Sequence, residues 1–312
     1  SDLQSNQFAR PGQPLVHPGQ FIFGYSSQTL GDITLPGPKK IPPEDWMHNG
    51  SFLVYRRLAQ DVELFQTETA RIAGELPGVP VDEVQAKFVG RWPDGTPLTV
   101  STKGDEAIVV NDLNRLNHFD FSGEGTPSVT VKKSAGQTET LPEISSDFLG
   151  ARCPLGAHVR QVNPRNTGTD LGGRSKTLSM QMLRRGIPYG PVHKAGEPAG
   201  VDRGLLFLAY QTSINQQFRL MNNRWMNNAA GPHDGGHDMI VGQNAASGEE
   251  RQRCLKYPLD EWGIAKKDVC SMKQWVSATG GGYFFAPSRS AVRRFAASPP
   301  ARDSYEPPKA KL

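Results

Sequence analysis

The order of the apolar segments along this chain predicts an α+β fold, in which helices pack on an antiparallel sheet. In the second half, strands are predicted at 178–183 and 204–210, and the latter leads into a helix at 214–226. A last strand is predicted at 280–287. The 33 Gly and 25 Pro residues predict many loops between these elements.

The first half of the chain is predicted to contain one strand and two helices. The strand is a short apolar run, and the helix after it is indicated by Leu58, Val62 and Phe65, which recur at helical spacing. The strand covers 51–55, the helices 57–66 and 81–88, and a Gly/Pro turn 90–95.

Composition excludes two classes of partner. The formal net charge of +4 comes without any Lys/Arg run, so no nucleic-acid surface is expected. No apolar run approaches the roughly 20 residues of a membrane span. The compartment, secreted or cytoplasmic, is left open by these features.

The three cysteines are widely spaced and include no CxxC pair, so a structural zinc site is not expected. Cys254 and Cys270 are as compatible with a disulfide as with a reduced pair.

One stretch, 150–165, places His158 in a turn stiffened by Gly and Pro and followed by arginines. A nitrogen donor beside fixed positive charge suits a haem, although a lone histidine is more often a simple hydrogen-bonding residue. Arg184 lies at a predicted strand end, where arginines are usually solvated. Leu205 and Phe207 alternate on a strand and therefore share a face, as core residues or as the wall of an apolar pocket.

The loop His233-Asp-Gly-Gly-His237-Asp238 superficially resembles a metal site. Its two glycines argue against a rigid ligand set, so a polar surface loop is the preferred interpretation.

Eight motifs occur in one order along the chain. They are Pro18-Gly-Gln-Phe-Ile-Phe-Gly-Tyr25, Gly50-Ser-Phe-Leu-Val-Tyr-Arg-Arg57, Gly90-Arg-Trp92, Cys153-Pro-Leu-Gly-Ala-His-Val-Arg160, Asn163-Pro-Arg165, Arg184-Arg-Gly-Ile-Pro-Tyr-Gly190, Gly204-Leu-Leu-Phe-Leu-Ala-Tyr-Gln211 and Gly281-Gly-Tyr-Phe-Phe-Ala-Pro-Ser288. Together, from about residue 10 to 295, they resemble the longer branch of the dye-decolorizing peroxidases, haem enzymes with a double ferredoxin-like α+β fold.

The resemblance implies a haem b cofactor, with hydrogen peroxide and bulky aromatic reductants, such as dyes and phenolics, as reactants. His158 matches the proximal iron ligand and Arg184 the distal arginine that stabilises charge on peroxide. The other expected contacts to haem are Leu205 and Phe207 on the distal side, and Arg160 and Arg165 at the propionates.

Candidates for two further roles, a partner of the proximal histidine and a relay for electrons, are suggested only by residue type and position. Asn228 lies near the position where some relatives place a carboxylate facing the proximal histidine. The candidates for relaying electrons from bulky donors are Trp225, Trp262, Trp275 and Tyr283, for which packing is the commoner explanation.

The family's distal acid–base, an aspartate in a Gly-x-x-Asp-Gly motif, is expected upstream of Pro18 and is absent from this sequence. Asp94, in Gly90-Arg-Trp-Pro-Asp-Gly95, matches a different family segment. The chain therefore resembles a C-terminal portion. We expect an N-terminal fragment of the same precursor, cleaved but still associated, to supply the aspartate.

This comparison divides the chain into four parts. They are an extended linker at 1–45, the rest of a first ferredoxin-like half at 46–148 with an insertion at about 96–148, a second half with the haem ligand at 149–297, and a disordered or draping tail at 298–312. A β-like piece is expected at 107–110 within the insertion.

Two other functions are left open. The chain could bind or handle haem without peroxidase turnover, as expected if the aspartate is truly lost, or it could be a structural subunit whose partner holds the haem ligand. A homo-oligomer is compatible with all three.

Overall fold

A computed structural model describes residues 15–31, 35–104, 115–122, 129–132, 138–141, 146–165, 167–198, 200–243 and 249–297. Its strands are β1 (Ser26–Gln28), β2 (Pro36–Lys39), β3 (Ser51–Gln60), β4 (Val129–Lys132), β5 (Thr138–Leu141), β6 (Leu183–Arg184), β7 (Ile187–Tyr189), β8 (Gly204–Gln211), β9 (Arg253–Pro258), β10 (Lys266–Ser271) and β11 (Val276–Ala286). Its helices are α1 (Val62–Gly74), α2 (Val81–Val89), α3 (His158–Gln161), α4 (Arg174–Leu178) and α5 (Arg289–Ala297), with π-helices π1 (Asn215–Arg219) and π2 (Met221–Met226).

The centre of the fold is a five-stranded antiparallel sheet in the order β11-β3-β8-β6, with β7 also paired to β8. The helices α1 and α2 and the β9–β10 hairpin enclose the largest core cluster, which Leu58 of β3 also contacts. This α+β arrangement confirms the predicted fold class. Within the described ranges, no helix combines the length and apolar character that crossing a bilayer requires.

The helix predicted to begin at residue 57 begins instead at Val62. Asp61 caps it, because its carboxylate accepts the Leu64 N–H at 2.9 Å. Leu58 belongs to β3, and it packs against the same core cluster as Phe65 of α1. Because a strand and a helix both face this core, their apolar residues have the spacing of one continuous helix.

The strand predicted at 178–183 is also wrong. Residues up to Leu178 form α4, and only Leu183–Arg184 pairs as a strand. Leu178 and Met180 are buried on a turn that ends the helix, so their alternation reflected packing and not an extended backbone.

The other predicted elements are confirmed, with altered bounds. The strands become β3, β8 and β11, the second helix becomes α2, and the helix after β8 is π1 followed by π2. The turn at 90–95 is present, with Gly90 at φ 97° and the Asp94 carboxylate accepting the Thr96 N–H. The strand at 107–110 and the tail at 298–312 lie outside the described residues.

Several elements were missed, and the longest of them are α5 and the two strands of the β9–β10 hairpin. The hairpin carries the disulfide Cys254–Cys270, whose residues face each other in register, so the structure selects the oxidised alternative.

Candidate functional site

The structure brings Arg184, Leu205 and Phe207 together on one face of the sheet. Arg184 pairs with Ala209 across β6 and β8, so the two side chains lie on the same face. Side chains two residues apart along a strand share a face, which adds Phe207 and Leu205. The predicted distal residues therefore line one surface at the edge of the sheet.

Arg184 reaches solvent but is partly surrounded by protein. Its side chain is exposed, yet enclosure by surrounding protein lowers the pKa of its guanidinium through desolvation. No ion pair joins Arg184 to a carboxylate in the described part of the chain. A guanidinium that reaches solvent and is also partly desolvated suits the recognition of a small anionic ligand.

A second cationic group lies beside it. Arg165 is buried, and desolvation together with the charges of Arg184 and Arg91 lowers its pKa to about 9. Arg165 and Arg91 lie over the Phe119 ring, at 4.7 and 4.9 Å from its centroid. Both guanidiniums donate to Asn117 Oδ1, at 2.9 and 2.8 Å. This cluster would be stabilised by anionic groups such as haem propionates.

Arg160 does not fit the propionate role expected for it. Its side chain is fully buried, and its guanidinium donates to the carbonyls of Asp147 at 2.7 Å, Phe148 at 2.6 Å and Cys153 at 3.1 Å. Its charge also lies over the Phe121 ring. Arg160 therefore ties together the segment before α3.

His158, the predicted iron ligand, pairs with a carboxylate that the sequence had not indicated. His158 Nδ1 lies 2.7 Å from Asp238 Oδ2, and Asp238 is completely buried. A carboxylate is an acceptor, so Nδ1 carries the proton and Nε2 keeps the lone pair that binds a metal. Asp238 Oδ1 accepts the N–H groups of Ile240 and Val241, at 2.9 and 3.0 Å.

Close backbone contacts hold this pair in place. An added Cβ on Gly156 would lie 2.4 Å from the Gly235 carbonyl oxygen, so only glycine allows the loop to approach α3 this closely. Gln161, on the same helix as His158, donates to the Gly236 carbonyl at 2.6 Å. The loop before Asp238 is thus fixed against the helix that carries His158.

The role of Asn228, which the sequence left open, is now clearer. Asn228 is exposed and its carboxamide oxygen accepts the Ala230 N–H, whereas the carboxylate that pairs with His158 belongs to Asp238. The loop 233–238 is not merely a polar surface loop, because Asp238 at its end is buried. Among the described residues, no group of three His, Cys, Asp or Glu side chains could hold a metal ion.

A haem fits the residues that are present. His158 offers one nitrogen with a fixed tautomer, Leu205 and Phe207 offer apolar walls, and Arg165 and Arg184 offer positive charge. The site itself therefore favours an iron porphyrin over a metal bound by protein ligands alone.

Comparison with known proteins agrees with this geometry. Residues 38–242 match the family model described as Dyp-type peroxidase, C-terminal. The chain belongs to the Dyp-type peroxidase family. It is 31% identical over 302 residues to a dye-decolorizing peroxidase of Mycetinis scorodonius, covering 91% of this chain and 52% of that protein. It is 32% identical to a multifunctional dye peroxidase of Amycolatopsis, covering 86% of this chain and 53% of that protein.

Solved structures show the same relationship. A fungal DyP-type peroxidase from Auricularia auricula-judae superimposes with a TM-score of 0.66 at 28% identity, covering 92% of this chain and 59% of the other. An ancestral D-type dye decolorizing peroxidase gives a TM-score of 0.68 at 29% identity, covering 92% and 58%. The chain spans about half the length of the curated relatives that it matches.

Proposed function

We propose that this chain forms the haem-bearing part of a peroxidase that reduces hydrogen peroxide and oxidises bulky aromatic donors such as dyes and phenolics. The observation that carries the proposal is the His158–Asp238 pair, which leaves one imidazole nitrogen for iron. The proposed cofactor is haem b, which would supply the iron that accepts electrons from donors and passes them to peroxide.

Different residues of this chain would hold the haem, stabilise the peroxide and restrict access to the site. Asp238 holds the proton on His158 Nδ1 and so directs Nε2 to the iron. Arg184 would donate hydrogen bonds to the peroxide oxygen on which negative charge develops. Leu205 and Phe207 would restrict the distal side to small oxidants.

A proton-transferring carboxylate would have to come from outside the described residues, because none is paired with Arg184. We propose that an N-terminal fragment of the same precursor supplies it, reaching Arg184 around the sheet edge formed by β6, and that the same fragment also covers the opposite face of the sheet. On that face Leu53, Leu206 and Leu208 are only half-buried, and Phe284 and Ile187 are 52% and 56% exposed. A broad apolar face of this kind favours coverage by another polypeptide.

A haem-binding protein without turnover is the second candidate, and it is favoured by the same lack of a carboxylate at Arg184. Titration of the 312-residue chain with haem tests the shared step, since either function requires a stoichiometric Soret band. Rapid mixing with equimolar peroxide then separates the two functions. A millisecond Soret change supports the peroxidase, and an unchanged spectrum, both alone and with the fragment that carries Gly-x-x-Asp-Gly, contradicts it.

Among the relay candidates, Tyr283 is the best placed. Trp225 and Trp275 are buried, and Trp262 is 66% exposed but makes no ring contact among the described residues. Tyr283 is 49% exposed, and its ring lies 6.3 Å from Phe218, which lies 6.0 Å from Phe207. We propose that bulky donors lose electrons at Tyr283. Tyr283→Phe should slow oxidation of a bulky dye and spare a small phenol, and equal rates for both donors in variant and wild type would rule it out.

A further inference from the structure

Arg253, the first residue of β9, is a buried cation without a carboxylate partner among the described residues. Its Nη1 donates to the Gly242 carbonyl at 2.7 Å, and its Nη2 donates to the Lys273 carbonyl. Its Nε has no hydrogen-bond partner among the described residues. Burying a guanidinium costs free energy, so neutral groups alone would not be expected to retain it.

The carbonyl that Arg253 binds belongs to the turn containing Asp238. The Gly242 N–H donates to the Asp238 carbonyl at 3.0 Å, which closes the turn. Within that turn, the N–H groups of Ile240 and Val241 bind the Asp238 carboxylate. Arg253 therefore fixes the end of the segment that aims Asp238 at His158.

The charges of Arg253 and Asp238 also interact. Burial and the nearby Arg251 lower the pKa of Arg253, while the negative charge of Asp238 raises it. A cation near the carboxylate reduces the carboxylate's attraction for the proton on His158 Nδ1.

We propose that Arg253 is a positioning residue and counter-charge for Asp238, and that it sets how strongly Asp238 accepts the His158 N–H. The consequence for haem rests on the proposed function. Without the positive charge, the imidazole would gain anionic character and donate more strongly to iron, which would lower the iron reduction potential.

Three variants test this inference. Arg253→Met removes both the charge and the two carbonyl hydrogen bonds. Arg253→Lys keeps the positive charge but loses the guanidinium fork, meaning the two nitrogens that donate to the Gly242 and Lys273 carbonyls. Arg251→Met is the matched control, because it removes a neighbouring positive charge that binds Asn227 and not the 238–242 turn.

The first readout is amide hydrogen exchange at Ile240 and Val241 in haem-free protein, which does not depend on the peroxidase proposal. Arg253→Met should accelerate exchange roughly tenfold or more, Arg253→Lys by less, and Arg251→Met not at all. The second readout is the reduction potential of the haem-loaded protein. It should fall in Arg253→Met and return towards the wild-type value in Arg253→Lys.

Wild-type exchange and potential in Arg253→Met would overturn the inference, as would equal falls in potential for Arg251→Met and Arg253→Met. Should Arg253→Met fail to fold, Arg253→Lys decides, because wild-type amide exchange in that variant is incompatible with a role for the guanidinium fork. A wild-type protein that binds no haem would contradict the proposed function and leave the exchange test valid.

Discussion

The His158 side and the Arg184 side of the candidate haem pocket are built differently. Around His158, this chain supplies the carboxylate of Asp238, the amides that hold that carboxylate and the strand behind it. Around Arg184, it supplies a guanidinium and apolar walls, but no paired carboxylate within the described residues. In the proposed haem site, this chain would orient the iron ligand through its own packing, whereas proton transfer would need a group from outside the described residues.

The largest expected effect is the loss of haem binding when His158 is replaced. His158→Ala should abolish stoichiometric haem retention, because the only nitrogen oriented by Asp238 is lost. The measurement is Soret titration followed by gel filtration, with exposed His48→Ala as the control. Equal haem retention by the His158 and His48 variants would place the ligand elsewhere, as in the structural-subunit hypothesis.

The next largest effect is expected at Arg184. The Arg184→Leu variant should still bind haem, but its reaction with peroxide should be about 100- to 1,000-fold slower, which is the typical loss when one preorganised hydrogen-bond donor is removed. Stopped-flow mixing measures the rate. Arg185→Leu is a close control, because Arg185 binds its neighbour's carbonyl and points to the opposite face. An unchanged rate in Arg184→Leu refutes the assignment.

A substitution at Asp238, the partner of His158, should weaken haem binding without abolishing it. Asp238→Asn removes the negative charge behind His158, so affinity should fall about 10- to 100-fold. The iron reduction potential should rise, since the imidazole becomes a weaker donor. A competition titration against apomyoglobin measures the affinity, and wild-type affinity together with wild-type potential would show that Asp238 is only a packing residue.

The smallest expected effect on haem binding comes from the disulfide in the hairpin next to the Asp238 turn. The Cys254–Cys270 disulfide spans 16 residues, and its loss should lower the free energy of unfolding by about 3 kcal/mol. Denaturant titration of the double Ala variant measures this, with Cys153→Ala as a control for a buried thiol. Haem affinity should change less than in Asp238→Asn, and a larger change would mean that β10 also positions the ligand.

Sequence patterns could predict the elements whose packing repeats with a simple period, such as β8 and α2. They failed where two elements share one core, as with Leu58 and Phe65, because spacing alone cannot separate strand from helix there. Asp238 could not be found either, since its position depends on Gly236 pairing with Leu255 across distant segments. The contacts of Arg160 with three backbone carbonyls could not be predicted, because residue type does not show which acceptors a guanidinium meets.

The half-covered sheet face has a practical consequence for anyone who purifies this chain. Half-buried Leu53, Leu206 and Leu208, next to exposed Phe284 and Ile187, form an apolar surface through which copies of the chain can associate. Light scattering of the isolated chain should therefore detect self-association before any haem is added. A polypeptide that co-purifies with the chain and abolishes this association can be identified by mass spectrometry.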